Sequence, residues 1–287
     1  MSDPDGADSR AEQAWRAYLT TGRTAGYTHQ AWFESPRLRP LIRRLPKDPR
    51  CRICYYPFAG VGGRLVRSLL GIGPSKMNPQ LCNLCERFAE KHRGGTEIEV
   101  SLLFADVRGS TGLAERMSTL EFSQLISRFY RAATKVLYRR NALVEKLIGD
   151  AVTGFFVPAF AGVRHAQVAV EAGAAILEAT GHGGAAGPWI PVGIGIHTGA
   201  AYIGAVGLED GGVDIAVLGD TPNTAARLAS VAGAGEILIS DAARRAARLD
   251  PKSMTPRRLE LKGRAEPVEA WVLAVNLPER HAKSADA

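Results

Sequence analysis

The clearest periodicity in the chain begins at Glu97. Ile98, Val100, Leu102 and Phe104 fall on alternate positions and predict one apolar face of a strand that runs straight into Ala105-Asp106. Residues 112–140 then place Leu120, Leu125, Phe129, Ala132 and Val136 at helical spacing, which predicts one long amphipathic helix. LVEKLI and AVTGFF are apolar runs on either side of Gly149-Asp150, the composition of a two-residue hairpin turn. Residues 163–179 predict a second helix, and the segments IPVGIGIHTG and AAYIGAVG predict two strands. A third helix is expected from Thr221 as N-cap with Pro222 at N1, where the missing N–H costs no hydrogen bond. EILIS, RRLEL and VEAWVLAV are expected as strands around a short helix at 241–248. The order β-α-β-β-α-β with additions predicts an α+β fold, a ferredoxin-like antiparallel sheet with helices on one face.

Upstream the pattern is weaker. A helical stretch is expected around Ala11–Leu19, followed by the Arg- and Pro-rich SPRLRPLIRRLPKDPR, and HRGGTE at 92–97 reads as a Gly-Gly hinge. This divides the chain into a basic N-terminal segment (1–45), a cysteine-containing module (46–95), a large patterned domain (96–277) and a short tail (278–287). With 287 residues and 46% hydrophobic content, the chain can bury at least one full core. The formal charge of +7 is uneven: residues 1–95 hold 16 Lys/Arg against 8 Asp/Glu, while the remainder holds 20 against 21. A basic face of this kind attracts anionic surfaces, but without an interleaved aromatic motif a nucleic-acid partner is not expected. No apolar run of roughly 18 residues occurs, and MSDPDGADSR lacks the layout of a signal peptide. A cytoplasmic protein without a membrane span is the expectation.

Two groups of residues suggest chemistry. Asp106 at a strand end and Asp150 at a hairpin tip meet if that strand lies beside the hairpin. Paired carboxylates suit Mg²⁺ or Mn²⁺, which take hard oxygen ligands and keep positions open for phosphate oxygens. The VRGST turn adds Gly109, Ser110 and Thr111 at a helix start, where backbone N–H groups can cradle phosphate. Asn223 and Arg227 lie four apart on one helix face, an amide and a cation able to stabilise charge on a phosphoryl group. The second group is Cys51 and Cys54 with Cys82 and Cys85, two Cys-x-x-Cys pairs separated by 27 residues. Without a secretion signal these point to a metal rather than to disulfides. Four thiolates fit tetrahedral Zn²⁺, and an iron-sulfur cluster uses the same ligand type.

In order, FADVRGST, VEKLIGDAV, VGIGIHTG, VLGDTPNTAARL and LKGRAEPVEAW resemble the catalytic domain of class III adenylate and guanylate cyclases over roughly residues 97–276. The resemblance implies a homodimer with active sites at its interface. In each, the 3′-hydroxyl of a nucleoside triphosphate attacks its own α-phosphate and pyrophosphate leaves. It implies that Asp106 and Asp150, with the Val107 carbonyl, hold two Mg²⁺ or Mn²⁺ ions. Asn223 and Arg227 are implied to serve the ribose and the transition state, Lys262 the triphosphate, and Lys146 the adenine. The chain departs from the family pattern at Ala216, where adenylate cyclases carry Asp or Thr. Gly193 likewise stands in place of a frequent Arg, Ser110 in place of Phe, and Pro222 in place of Val. ATP is the expected substrate. The absence of Glu at position 146 argues against GTP, and a pyrimidine triphosphate or a non-catalytic nucleotide-binding module are the alternatives. His197, with no partner visible in sequence, is expected to be structural.

Overall fold

The computed structural model describes residues 4–22, 50–51, 56–75, 81–207, 213–260 and 267–274. By internal contacts the chain forms two units. The first comprises Met1–Val100, Val157–Val163 and Gly199–Pro222; the second comprises Ser101–Phe156, Arg164–Thr198 and Asn223–Ala287.

The elements run in the order α1 (Pro4–Thr21), α2 (Gly60–Leu70), α3 (Asn83–Lys91), β1 (Gly94–Val107), α4 (Ser110–Arg116), α5 (Thr119–Arg139), β2 (Leu143–Ile148) and β3 (Ala151–Phe156). They continue with α6 (Pro158–Ala161), α7 (His165–Ala179), β4 (Val192–Gly207), β5 (Val213–Leu218), α8 (Asp220–Val231), β6 (Glu236–Ser240), α9 (Asp241–Ala246), β7 (Thr255–Leu259) and β8 (Val268–Ala274). The strand order is β2-β3-β1-β4-β6-β8-β7, with β5 paired to β4. This is the α+β, ferredoxin-like architecture expected from the alternation of patterns. The sheet is not purely antiparallel, because β4 and β6 pair in parallel through Ile194–Ile237, Gly195–Leu238 and Ile196–Ile239.

In the second unit α5 and α7 pack on each other and over β2 and β3. Phe129, Leu137, Ile176 and Leu177 are fully buried there, as are Val152 and Phe156 from the sheet. In the first unit α1 packs on α6. Tyr18 meets Phe160 with ring centroids 5.7 Å apart, Trp15 meets Phe88 at 5.1 Å, and the Trp15 indole donates to the His92 carbonyl at 2.7 Å.

Several boundaries differ from the sequence reading, each for a local reason. The long helix expected over 112–140 is two helices, broken at Met117-Ser118. Ser118 starts α5 with a capping box: its hydroxyl accepts from the Glu121 N–H and the Glu121 carboxylate accepts from the Ser118 N–H. The two strands expected around HTG are one continuous strand, β4. VDIAVL, not singled out as a strand, is β5 and pairs with the end of β4. Helix α8 begins at Asp220, and the Thr221 hydroxyl donates to the Ala200 carbonyl rather than capping the helix. Gly94 and Gly95 belong to β1 instead of forming a hinge. The helix expected near Ala11–Leu19 is real but longer, and β7 begins two residues earlier than RRLEL. No described helix is long and apolar enough to cross a membrane.

Candidate active site

The geometry around Asp106 follows from strand register. Asp106 ends β1 opposite Ala151 of β3, so the Gly149-Asp150 turn joining β2 to β3 lies next to it. The Val107 N–H donates to the Asp150 carbonyl at 3.3 Å, which ties the strand end to the turn. Gly149 takes φ 60°, the left-handed conformation a tight turn needs. On the other side the Tyr130 hydroxyl, carried by α5, donates to the Gly149 carbonyl.

Burial pushes the Asp106 carboxyl above the usual carboxylate range, the Arg108 guanidinium draws it back, and the Asp150 charge pushes it up again. Burial also raises the Tyr130 phenol, with a further contribution from Asp150. The Asp106 and Asp150 carboxylates offer hard oxygen ligands of the kind that suit Mg²⁺ or Mn²⁺.

In the structure the compensating cation is Arg108, which forms an ion pair with Asp106. Its Nη1 also donates to the Ser230 carbonyl near the end of α8 at 2.8 Å, and its backbone N–H donates to the Pro191 carbonyl at 2.9 Å. The Nε is buried with no hydrogen-bond partner among the described residues. Arg108 thus links the Asp106 strand end to the helix that carries Asn223 and Arg227. Arg227 is partly buried and its carbonyl accepts from the Ser230 hydroxyl, while Asn223 is exposed. Gly195 lets α8 lie this close to β4: a Cβ there would collide with the Ala225 carbonyl and the Ala229 nitrogen.

Gly109 adopts φ 66° as the N-cap of α4, followed by partly buried Ser110 and exposed Thr111. Ala216, in the other unit, sits opposite Gly204 in the β4–β5 pair and offers only a methyl group. Lys146 lies in β2 with its side chain outside the described residues, and Lys262 and Cys54 are also outside them. His197 has a partner, since its Nδ1 lies 2.7 Å from the Ser240 hydroxyl that caps α9. At Gly193 an added Cβ would approach the Ala232 carbonyl to 2.7 Å, a crowding that disfavours the arginine found in many family members.

Arg108 and Tyr130 were missed by sequence reasoning. Arg108 stands inside the VRGST turn beside two residues already singled out, so its position was a usable signal. Tyr130 is an ordinary helical residue whose role depends on which turn α5 covers.

Residues 95–274 match the family described as Adenylate and Guanylate cyclase catalytic domain, and the chain belongs to that family. It contains a class III nucleotide cyclase domain. A curated adenylate cyclase of Anabaena cylindrica is 30% identical over 133 residues, covering 45% of this chain and 26% of that protein. Two further curated relatives are covered over 18% and 20% of their length, so the chain spans about a quarter or less of these three proteins. Among solved structures, the guanylyl cyclase Cya2 superposes with a TM-score of 0.56 at 25% identity, covering 65% of this chain and 98% of that one. The adenylyl cyclase CyaB from P. aeruginosa gives 0.53 at 26% identity, covering 62% and 95%.

Proposed function

We propose that this protein converts ATP to 3′,5′-cyclic AMP and pyrophosphate at active sites shared between two copies of the chain. The observation that carries the reading is the convergence of Asp106 and Asp150, enforced by the β1–β3 register and held by Tyr130 and the Val107 N–H. Asp106, Asp150 and the Val107 carbonyl would hold two Mg²⁺ or Mn²⁺ ions, which supply Lewis-acid activation of the 3′-hydroxyl and charge neutralisation of the triphosphate. The Gly109-Ser110-Thr111 turn receives phosphate oxygens. Arg227 stabilises charge on the α-phosphoryl group, Asn223 orients the ribose, and Lys262 binds the triphosphate. Lys146 donates to the adenine ring.

The exposure of Asn223 is consistent with service to a partner copy. Mixing Asp106→Ala with Arg227→Ala protein tests the sharing directly, because a mixed dimer regains one site free of both substitutions. Partial recovery of activity is expected, and no recovery at any ratio contradicts the shared site.

Ala216 favours a second reading for the base, since it offers adenine no hydrogen bond and leaves selection to Lys146. Incubation with ATP, GTP, CTP and UTP in the presence of Mn²⁺ decides between them. Cyclic AMP as the main product supports the first reading, and cyclic CMP or UMP supports a pyrimidine cyclase. Nucleotide binding without pyrophosphate release identifies a non-catalytic module.

A further inference from the structure

Two short antiparallel pairings carry the described cysteines between Cys51 and Cys85. Arg50 bridges Pro57 in an antiparallel pair, and the Cys51 N–H donates to the Tyr56 carbonyl at 3.0 Å. Pro74 bridges Cys82, and the Ser75 N–H donates to the Leu81 carbonyl at 2.9 Å. A cysteine takes part in each, Cys51 in the first and Cys82 in the second. Cys82 is also the N-cap of α3, so Cys85 follows one helical turn later and on the same side.

The result is a cluster of three buried sulfurs, those of Cys51, Cys82 and Cys85, all within 4.8 Å of one another. In a tetrahedral zinc thiolate site, Zn–S bonds of about 2.3 Å place the sulfurs ~3.8 Å apart, so only a slight contraction is needed. Cysteine is commonly buried as a small apolar side chain. Apolar packing does not explain why backbone donors point at the sulfurs. The Cys82 N–H donates to Cys51 Sγ at 3.2 Å and the Cys85 N–H to Cys82 Sγ at 3.4 Å.

The surrounding core is also small. Tyr56, Phe58, Val66, Ile72, Leu81 and Phe88 are its main buried side chains, carried by two short helices and the turns. Such a segment gains most from a cross-link that joins its two pairings.

We propose that Cys51, Cys82 and Cys85 are thiolate ligands of one structural Zn²⁺ ion that joins the Arg50–Pro57 pairing to the Pro74–Cys82 pairing. Binding releases one proton to solvent for each thiol that coordinates, and no electron is transferred because Zn²⁺ is redox-inert. By its spacing in CRIC, Cys54 is the sequence's fourth candidate, and it lies outside the described residues. The site is independent of the cyclase reading.

The test measures metal on the full chain, whatever its activity. About one zinc per chain is expected after exhaustive dialysis, retained in Asp106→Ala and reduced at least about tenfold in Cys82→Ser. Replacement by Co²⁺ is expected to give intense thiolate charge-transfer absorption and tetrahedral d–d bands. If Cys82→Ser does not fold, titration of the native chain with an organomercurial serves instead: zinc must leave in step with thiol modification. Absence of stoichiometric zinc, iron with acid-labile sulfide, a disulfide between any two of the three cysteines, or zinc that stays bound after the thiols are blocked each overturns the proposal.

Discussion

The carboxylate site and the cysteine cluster are both candidate metal centres, yet their scaffolds differ in kind. Asp106 and Asp150 stand at the ends of strands in a large sheet whose core, from Leu102 and Phe129 to Ile176 and Ile194, is buried without help from either carboxylate. Burial is the main upward push on the Asp106 carboxyl, opposed by Arg108, and the Asp150 charge adds only a smaller one. The described cysteines, by contrast, are clustered and buried beside two short bridges, Arg50–Pro57 and Pro74–Cys82. In the first region the sheet positions the ligands independently of any metal, which suits a metal used for chemistry. In the second the ligands hold the fold together, which suits a metal used for structure.

The difference can be broken most sharply at Asp106. Asp106→Ala is expected to lower turnover by about 10³-fold or more, equivalent to ~4 kcal/mol of transition-state stabilisation, while thermal stability falls only slightly, because the residue is outside the apolar core and its loss removes one ion pair with Arg108. Parallel loss of activity and melting temperature would mean that Asp106 is structural. Metal extraction is the converse experiment. A strong chelator is expected to expose the amides of 56–75 and 81–91 to hydrogen exchange while β1, β3 and α5 stay protected. Uniform loss of protection would erase the distinction between the regions.

Smaller effects sharpen the picture inside the catalytic region. Gly195→Ala forces α8 away from β4 and should cost about 2–3 kcal/mol in denaturant unfolding, with a larger fall in activity than stability alone explains. Arg108→Ala removes the bridge from Asp106 to the Ser230 carbonyl. The expected result is a roughly tenfold fall in kcat with a changed Mn²⁺ requirement, measured as kcat against metal concentration. An unchanged metal dependence would make Arg108 a packing residue only.

The smallest effect concerns Glu236, whose carboxylate is held below the usual range by the bidentate hydrogen bonds from Arg257, opposed by burial. A lowered folded-state pKa means the unfolded chain binds more protons in that window. The stabilisation is therefore complete above the ordinary glutamate value and is lost as pH falls through the lowered one. Glu236→Gln should flatten this acid limb by at most about 1 kcal/mol, read from stability measured between pH 5 and 3 at roughly one-unit steps.

Much of this molecule is legible in one dimension because its signals are local. Alternating Ile98, Val100, Leu102 and Phe104 require a strand with one apolar face, and Gly149-Asp150 between apolar runs requires a hairpin. The five ordered motifs pointed to the family. Local patterns were insufficient where a competing local signal or a distant partner decided. The Ser118–Glu121 capping box split a helix whose hydrophobic spacing continued through it. Thr221 found the Ala200 carbonyl instead of its own helix.

The sequence by itself determined the types of ligand, hard carboxylates in one region and soft thiols in the other, because residue chemistry needs no fold to be read. Only the tertiary structure decided that Asp106 faces a hairpin pinned by Tyr130, that Arg108 bridges Asp106 to α8, and that three cysteines 34 positions apart at most share one buried point. Those are contacts across 19, 122 and 31 or more positions, set by strand register and helix packing rather than by any neighbour in the chain.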